Sequence, residues 1–157
     1  MQNIGKYFYR QIYWLDYDNF SNQLPGKDWV CLAVANQPPD IEKFEKFVRT
    51  AIANNILEFK GHGNYGAKLH DLFDETLIEM ETMENYGEIN VMTTWHTDET
   101  LADTFWQCFF ATCVPDTGDL DNIQIICTDL DGVNRTDELK SYIKEFELGW
   151  LPPLNAE

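Results

Sequence analysis

The chain has 157 residues, a formal net charge of −16, and 44% hydrophobic and 14% aromatic residues. That length is one domain's worth, and the apolar content supports a core and excludes a disordered polymer, which is poor in aromatics. No apolar run approaches the ~20 residues needed to span a bilayer, and a surface of this sign repels a phosphate backbone, so neither membrane insertion nor direct nucleic-acid binding is expected.

Residues 1–28 read as an N-terminal aromatic extension that packs on the domain, with Tyr7, Phe8, Tyr9, Ile12, Tyr13, Trp14 and Leu15 as its sticky part. Pro25-Gly26-Lys27-Asp28 is a turn signal that closes it. Residues 29–157 read as a single α/β domain. The continuous apolar run Trp29 to Ala35 marks a strand buried on both faces. Asn36 to Asp40 breaks it, and Pro39 and Asp40 open a helix to about Asn54 with Ile41, Phe44, Phe47, Val48 and Ile52 as its apolar stripe. Ile56 to Lys60 alternates polar and apolar residues, which suggests an edge strand. Gly61-His62-Gly63 turns the chain into a second helix, Tyr65 to Asn85, with Leu69, Leu72, Phe73, Leu77 and Met80 inward. Ile89 to Trp95 is a third strand, Thr97 or Asp98 caps a third helix carrying Leu101, Phe105, Cys108 and Phe109, and Pro115 to Gly118 is a loop. Ile123 to Cys127 is a fourth strand, and Asn134 or Thr136 starts a fourth helix that ends at Gly149. Strict strand–helix alternation implies a parallel sheet covered by helices. The expected fold is therefore a small three-layer doubly wound α/β domain with a four-stranded, mainly parallel sheet.

Cys31, Cys108, Cys113 and Cys127 sit in apolar or helical contexts and read as buried free thiols. The N-terminal segment lacks the charged-then-apolar pattern of a signal peptide, so the expected location is cytoplasmic. Neither a cofactor nor a metal is implied by any complete motif.

Two partial motifs carry chemistry. Gly61-His62-Gly63-Asn64-Tyr65-Gly66 matches the glycine fingerprint of dinucleotide-binding turns, where glycines let the backbone approach a pyrophosphate at a helix N-terminus. It follows the second strand rather than the first, lacks the acidic residue at the end of the next strand, and opens a carboxylate-laden helix, so a tight structural turn is expected. The run Ile125-Ile126-Cys127-Thr128-Asp129-Leu130-Asp131-Gly132 resembles the first motif of the haloacid-dehalogenase phosphatase family. That resemblance covers about eight residues and implies Asp129 as nucleophile, Asp131 as acid/base, and magnesium between them. The family's downstream Lys and Asp residues have no room in the 25 residues that follow Gly132. A polar turn capping a helix is the expected role. A wider set at strand C-terminal ends, where parallel sheets collect ligands, comprises Asn36, His62, His96, Asp98, Asp129 and Asp131. Their convergence depends on strand order.

The charge is segregated. Residues 1–68 hold 8 Lys/Arg and 7 Asp/Glu, whereas residues 69–134 hold no Lys or Arg and 15 Asp/Glu. Asp71, Asp74, Glu75, Glu79, Glu81 and Glu84 decorate the second helix, and Asp71, Glu75 and Glu79 lie i, i+4 apart, a spacing that costs roughly 0.2–0.5 kcal/mol per like-charged pair. Asp98, Glu99 and Asp103 open the third helix, and Asp116, Asp119 and Asp121 add to the loops. Such a face suits a cationic partner. The expected function is an acidic protein-binding domain, an inhibitor or immunity-type protein that occludes a basic partner, with Asp71, Asp74, Glu75, Glu79, Glu81, Glu84, Asp98, Glu99 and Asp103 as its contact residues. Two alternatives are a nucleic-acid mimic and a metal- or nucleotide-dependent enzyme using the strand-end residues. Oligomeric state leaves no mark in the pattern.

Overall fold

In the computed structural model, which describes residues 1–112 and 122–153, the elements are β1 (Gln2–Tyr7), β2 (Arg10–Trp14), a 3-10 turn (Tyr17–Asn19), β3 (Trp29–Val34), α1 (Ile41–Ala53), β4 (Glu58–His62), α2 (Gly66–Met83), β5 (Met92–His96), α3 (Leu101–Phe110), β6 (Gln124–Asp129) and α4 (Thr136–Glu147). They form a mixed α/β fold around one six-stranded sheet in the order β1-β2-β6-β3-β4-β5. All neighbours are parallel except β1, which runs antiparallel to β2.

The sheet is thus six-stranded rather than four-stranded. Its two additional strands come from residues expected as a docked extension. The reason is a two-residue hairpin turn at Phe8-Tyr9, both with positive φ (47° and 67°). Turns of this geometry normally use Asn-Gly or Gly, so aromatic residues there give no turn signal. β2 then docks in parallel on β6 through Ile12, Tyr13 and Trp14.

The apolar run predicted as a central strand is β3, flanked by β6 and β4 and buried along its whole length. Its alternate residues enter two separate cores. Trp29, Cys31 and Ala33 join Phe44, Phe47 and Val48 of α1 and Leu69, Phe73 and Met80 of α2. Val30, Leu32 and Val34 join Phe105, Cys108 and Phe109 of α3 and Leu139, Ile143 and Phe146 of α4. Two helix starts follow side-chain capping: Asp40 accepts from Lys43 N and Thr100, rather than Thr97 or Asp98, accepts from Asp103 N. Helix α4 starts at Thr136 without a side-chain cap, and Asn134 accepts from Thr136 N in the turn before it.

The alternating strand is not an edge. β4 lies between β3 and β5, and its polar residues point into the protein beneath α3. Glu58 and Lys60 are each 1% exposed and pair at 3.2 Å. Lys60 Nζ also donates to the carbonyl of Ala111, and Arg10 donates to Cys108 O and Thr112 Oγ1. Two cations therefore cover the carbonyl end of α3, where the helix dipole is negative. Burial pushes the Cys108 thiol up to about 12 and raises those of Cys31 and Cys127, so the three buried cysteines stay protonated. Cys113, the Pro115–Gly118 loop, Asp116, Asp119 and Asp121 lie outside the described residues.

Candidate functional site

From β3 the chain steps through β4 to β5 in one direction, then returns to place β6 on the opposite side of β3. The order reverses between β3 and β6, and in such sheets ligands collect at that point, outside the strand C-terminal ends. The residues there are Asn36, Asp129 and Asp131. Their oxygens are already engaged. Asp129, 3% exposed, accepts from Asp131 N at 2.7 Å and Val133 N at 3.3 Å through Oδ1, and from Arg135 Nε at 2.6 Å through Oδ2. Asp131 accepts from Asn36 N at 2.7 Å and Gln37 N at 3.3 Å. The Asp-x-Asp-Gly run is a polar turn that pins the β6–α4 connection to the loop after β3. A depression of about 140 Å³ brings Asp16 and Asp18 to the same wall, yet among the described residues no three His, Cys, Asp or Glu side chains are arranged to hold a metal ion.

The glycine loop is equally occupied. Gly63 N donates to His96 O, Asn64 N to Asn36 Oδ1, Tyr65 N to Ala35 O, and Gly66 N to Gly63 O. The N–H groups of residues 63–66 are therefore spent within the protein rather than aimed at an anion. The glycines are explained by close approach. A Cβ on Gly61 would lie 2.5 Å from Gly66 O, and one on Gly63, at φ +100°, would lie 2.6 Å from Ala35 O. Strand, turn and helix touch backbone to backbone.

His62 and His96 converge, but with Glu99 rather than with Asp129 or Asp131. His62 Nδ1 meets Thr104 Oγ1 at 2.8 Å, Thr104 Oγ1 donates to Glu99 Oε2 at 3.3 Å, and the same oxygen takes His96 Nδ1 at 2.6 Å and Gln107 Nε2 at 2.8 Å. His96 Nε2 meets Thr94 Oγ1 at 2.9 Å. Burial above all lowers His62 to about 4, with the nearness of a second imidazole, His96, acting in the same direction, and burial lowers His96 against the pull of Glu99. Both imidazoles are neutral at pH 7, held in a chain that ties β4 and β5 to the start of α3.

The nine acidic residues of the predicted contact face divide by what each one touches. Glu79 and Glu84 turn toward α1, where Arg49 pairs with both. Asp74 accepts from Thr93 Oγ1 at 2.6 Å and Glu81 from Ile89 N at 2.8 Å, binding α2 to β5 and the segment before it. Asp71 and Glu75 point outward and are exposed. Asp98 is exposed after β5, Glu99 is half-buried in the histidine network, and Asp103 is buried at the start of α3. α2 and α3 feed opposite cores, so Asp103 is not brought beside the α2 carboxylates. Trp95, a residue the charge pattern did not single out, is 55% exposed on β5, and its ring meets His70 of α2 at 4.6 Å between centroids. His70 in turn lies 2.9 Å from Asp71 and 3.3 Å from Asp74. An indole within a lysine-free stretch was the available signal.

A family model described as Domain of unknown function (DUF7684) matches residues 12–146. The chain belongs to this family. The match runs from within β2 into the last turn of α4, so it takes in β3 to β6 and the residues of β2 that pair with β6, and the antiparallel edge strand β1 lies outside. No curated protein and no solved structure matches the chain. Among the described residues no helix is long and apolar enough to cross a membrane.

Proposed function

We propose that this DUF7684 domain is a protein-binding module of the inhibitor or immunity type, which takes a basic partner on the surface shared by α2 and β5. The observation that carries the reading is an exposed indole, Trp95, packed on His70, whose ring lies beside Asp71 and Asp74, in a stretch of 66 residues without Lys or Arg. Carboxylates around an exposed aromatic make a rim that steers cations and an anchor that holds them. The partner's Lys or Arg residues would meet Asp71 and Glu75, with Trp95 at the centre, and the domain would act by covering them. The three-layer doubly wound arrangement and a cytoplasmic setting belong to the same proposal.

The charged residues that hold α2 to α1 and β5 are structural, so they define a rigid platform rather than the contact itself. The test is binding. Asp71→Lys with Glu75→Lys should leave folding intact and weaken capture of a basic partner while flattening its salt dependence. Trp95→Ala should weaken it about thirtyfold, the value of a ~2 kcal/mol anchor. Unchanged affinity in both variants would place the interface elsewhere.

A further inference from the structure

The two edges of the sheet are built differently. β1 has a register shift between Asn3 and Gly5 and carries Lys6, the devices by which proteins keep an edge from pairing. β5 has a continuous five-residue register with β4 and carries neither Lys, Pro nor a bulge. Its main-chain parity follows from its two ends. Met92 N donates to Leu57 O and His96 O accepts from Gly63 N, each at 3.2 Å. Residues 92, 94 and 96 therefore direct their peptide groups to β4, and Thr93 and Trp95 direct theirs to the open side. Among the described residues nothing accepts from Thr93 N or Trp95 N.

The charges around this edge have one sign. Glu88 precedes β5, Asp98 and Glu99 follow it, and Asp71 and Asp74 overlie it from α2 on the side of Thr93 and Trp95. A second copy of the chain would bring the same carboxylates face to face, which opposes self-pairing. A strand with cations at alternate positions would place them beside Asp71 and Asp74 while its backbone completes the ladder.

We propose that β5 is a strand-addition site, and that the basic partner docks by pairing an extended segment, with Lys or Arg at every second position, onto the peptide groups of Thr93 and Trp95. The inference rests on the function proposed above and specifies its docking mode, main-chain pairing for affinity and alternate side chains for selectivity.

The test uses the full, unaltered chain, labelled with ¹⁵N, and a synthetic peptide of alternating lysine and valine. Amide exchange is followed residue by residue, with a glutamate–valine peptide as control. The expected result is that the lysine peptide slows exchange at Thr93 and Trp95 by roughly tenfold or more, leaves the β4-bonded amides of Met92 and Thr94 as they were, and that the glutamate peptide does nothing. Three results would overturn the inference. The lysine peptide could bind without protecting Thr93 and Trp95, which leaves a side-chain interface and the proposed function standing. It could fail to bind, in which case strand addition is wrong whatever the native partner does. The two amides could already be protected in the free chain in a concentration-dependent way, which would assign the edge to a second copy.

Discussion

Removing the Asp129 carboxylate tests whether the Asp-x-Asp-Gly turn is structural. Asp129 is 3% exposed and its two oxygens serve three donors, the N–H groups of Asp131 and Val133 and the Arg135 guanidinium. In Asp129→Ala the N–H groups of Asp131, half-buried, and Val133, exposed, lose their acceptor, and because water reaches this turn each falls at the low end for a lost partner, about 1 kcal/mol. Arg135 loses its ion pair as well, but its side chain is 19% exposed and Glu138 lies 3.5 Å away, so that part falls near the low end for a broken buried pair. Discounting Val133, whose bond is long at 3.3 Å, the sum is about 3–5 kcal/mol. Against a total stability of about 5–15 kcal/mol that is a large fraction, and it lowers the melting temperature by about 10 °C for a chain of this size. Asp129→Asn keeps an acceptor for the backbone donors and should cost about half as much. Urea unfolding followed by far-ultraviolet circular dichroism measures both. A loss below about 1 kcal/mol for the alanine variant would refute the structural role. A gain in stability would be the signature of a carboxylate held unpaired for a ligand, since functional charges commonly lower stability.

The glycine loop gives a second prediction: Gly63→Ala, with its Cβ at 2.6 Å from Ala35 O at φ +100°, should destabilise the domain by about 2 kcal/mol or more, and phosphate or dinucleotide should not raise the melting temperature of the unaltered chain; a ligand-dependent rise would restore the nucleotide reading. The His62 environment sets a pH dependence. Its folded pKa of about 4 lies below the ordinary 6.5, so the unfolded chain binds the proton first and stability falls as pH drops from about 6.5 toward 4. Between pH 7 and pH 5 this residue accounts for a loss of about 2 kcal/mol, and His62→Asn should unfold in urea with that much less pH dependence; equal slopes would contradict it. Lys60→Met leaves the Glu58 carboxylate without its ammonium in a site 1% exposed and should cost about 3–5 kcal/mol, whereas Lys60→Met with Glu58→Leu should recover much of the loss. An additive double variant, measured by the same unfolding experiment, would show that the two groups act independently.

The parallel part of the fold was legible because its signals are local. Trp29 to Val34 is apolar on both faces and is central, and Asp40 caps the helix it precedes. What escaped depends on geometry that the residue types do not announce. Phe8 and Tyr9 form a hairpin turn without a turn residue, which hid two strands. Glu58, Lys60 and His62 alternate as an edge strand would, yet they are buried because α3 supplies partners from elsewhere in the chain. The acidic helix was visible as a run of charge, but its relief was not. Arg49, 30 and 35 residues away in sequence, pairs with Glu79 and Glu84 across α1 and α2. The helical periodicity identified an outer face, and only the packing separated Asp71 and Glu75 from the carboxylates that bind neighbouring elements. His62 and His96 were grouped at strand ends with Asp129, a pairing that required the strand order, and that order sends them to Glu99 instead.

The most direct measurement of the proposed role is capture from the native host on immobilised protein, washed across a salt gradient, with three forms compared: the unaltered chain, Asp71→Lys with Glu75→Lys, and a control with Asp137→Lys and Glu145→Lys on exposed positions of α4. Captured proteins are identified by mass spectrometry, and the affinity of the leading one is measured in purified form. The account predicts one basic protein, bound at stoichiometric amounts by the unaltered chain and the α4 control, released by salt and lost with the α2 variant. Capture of the same protein equally by all three forms, or a partner whose binding is insensitive to salt, would contradict it.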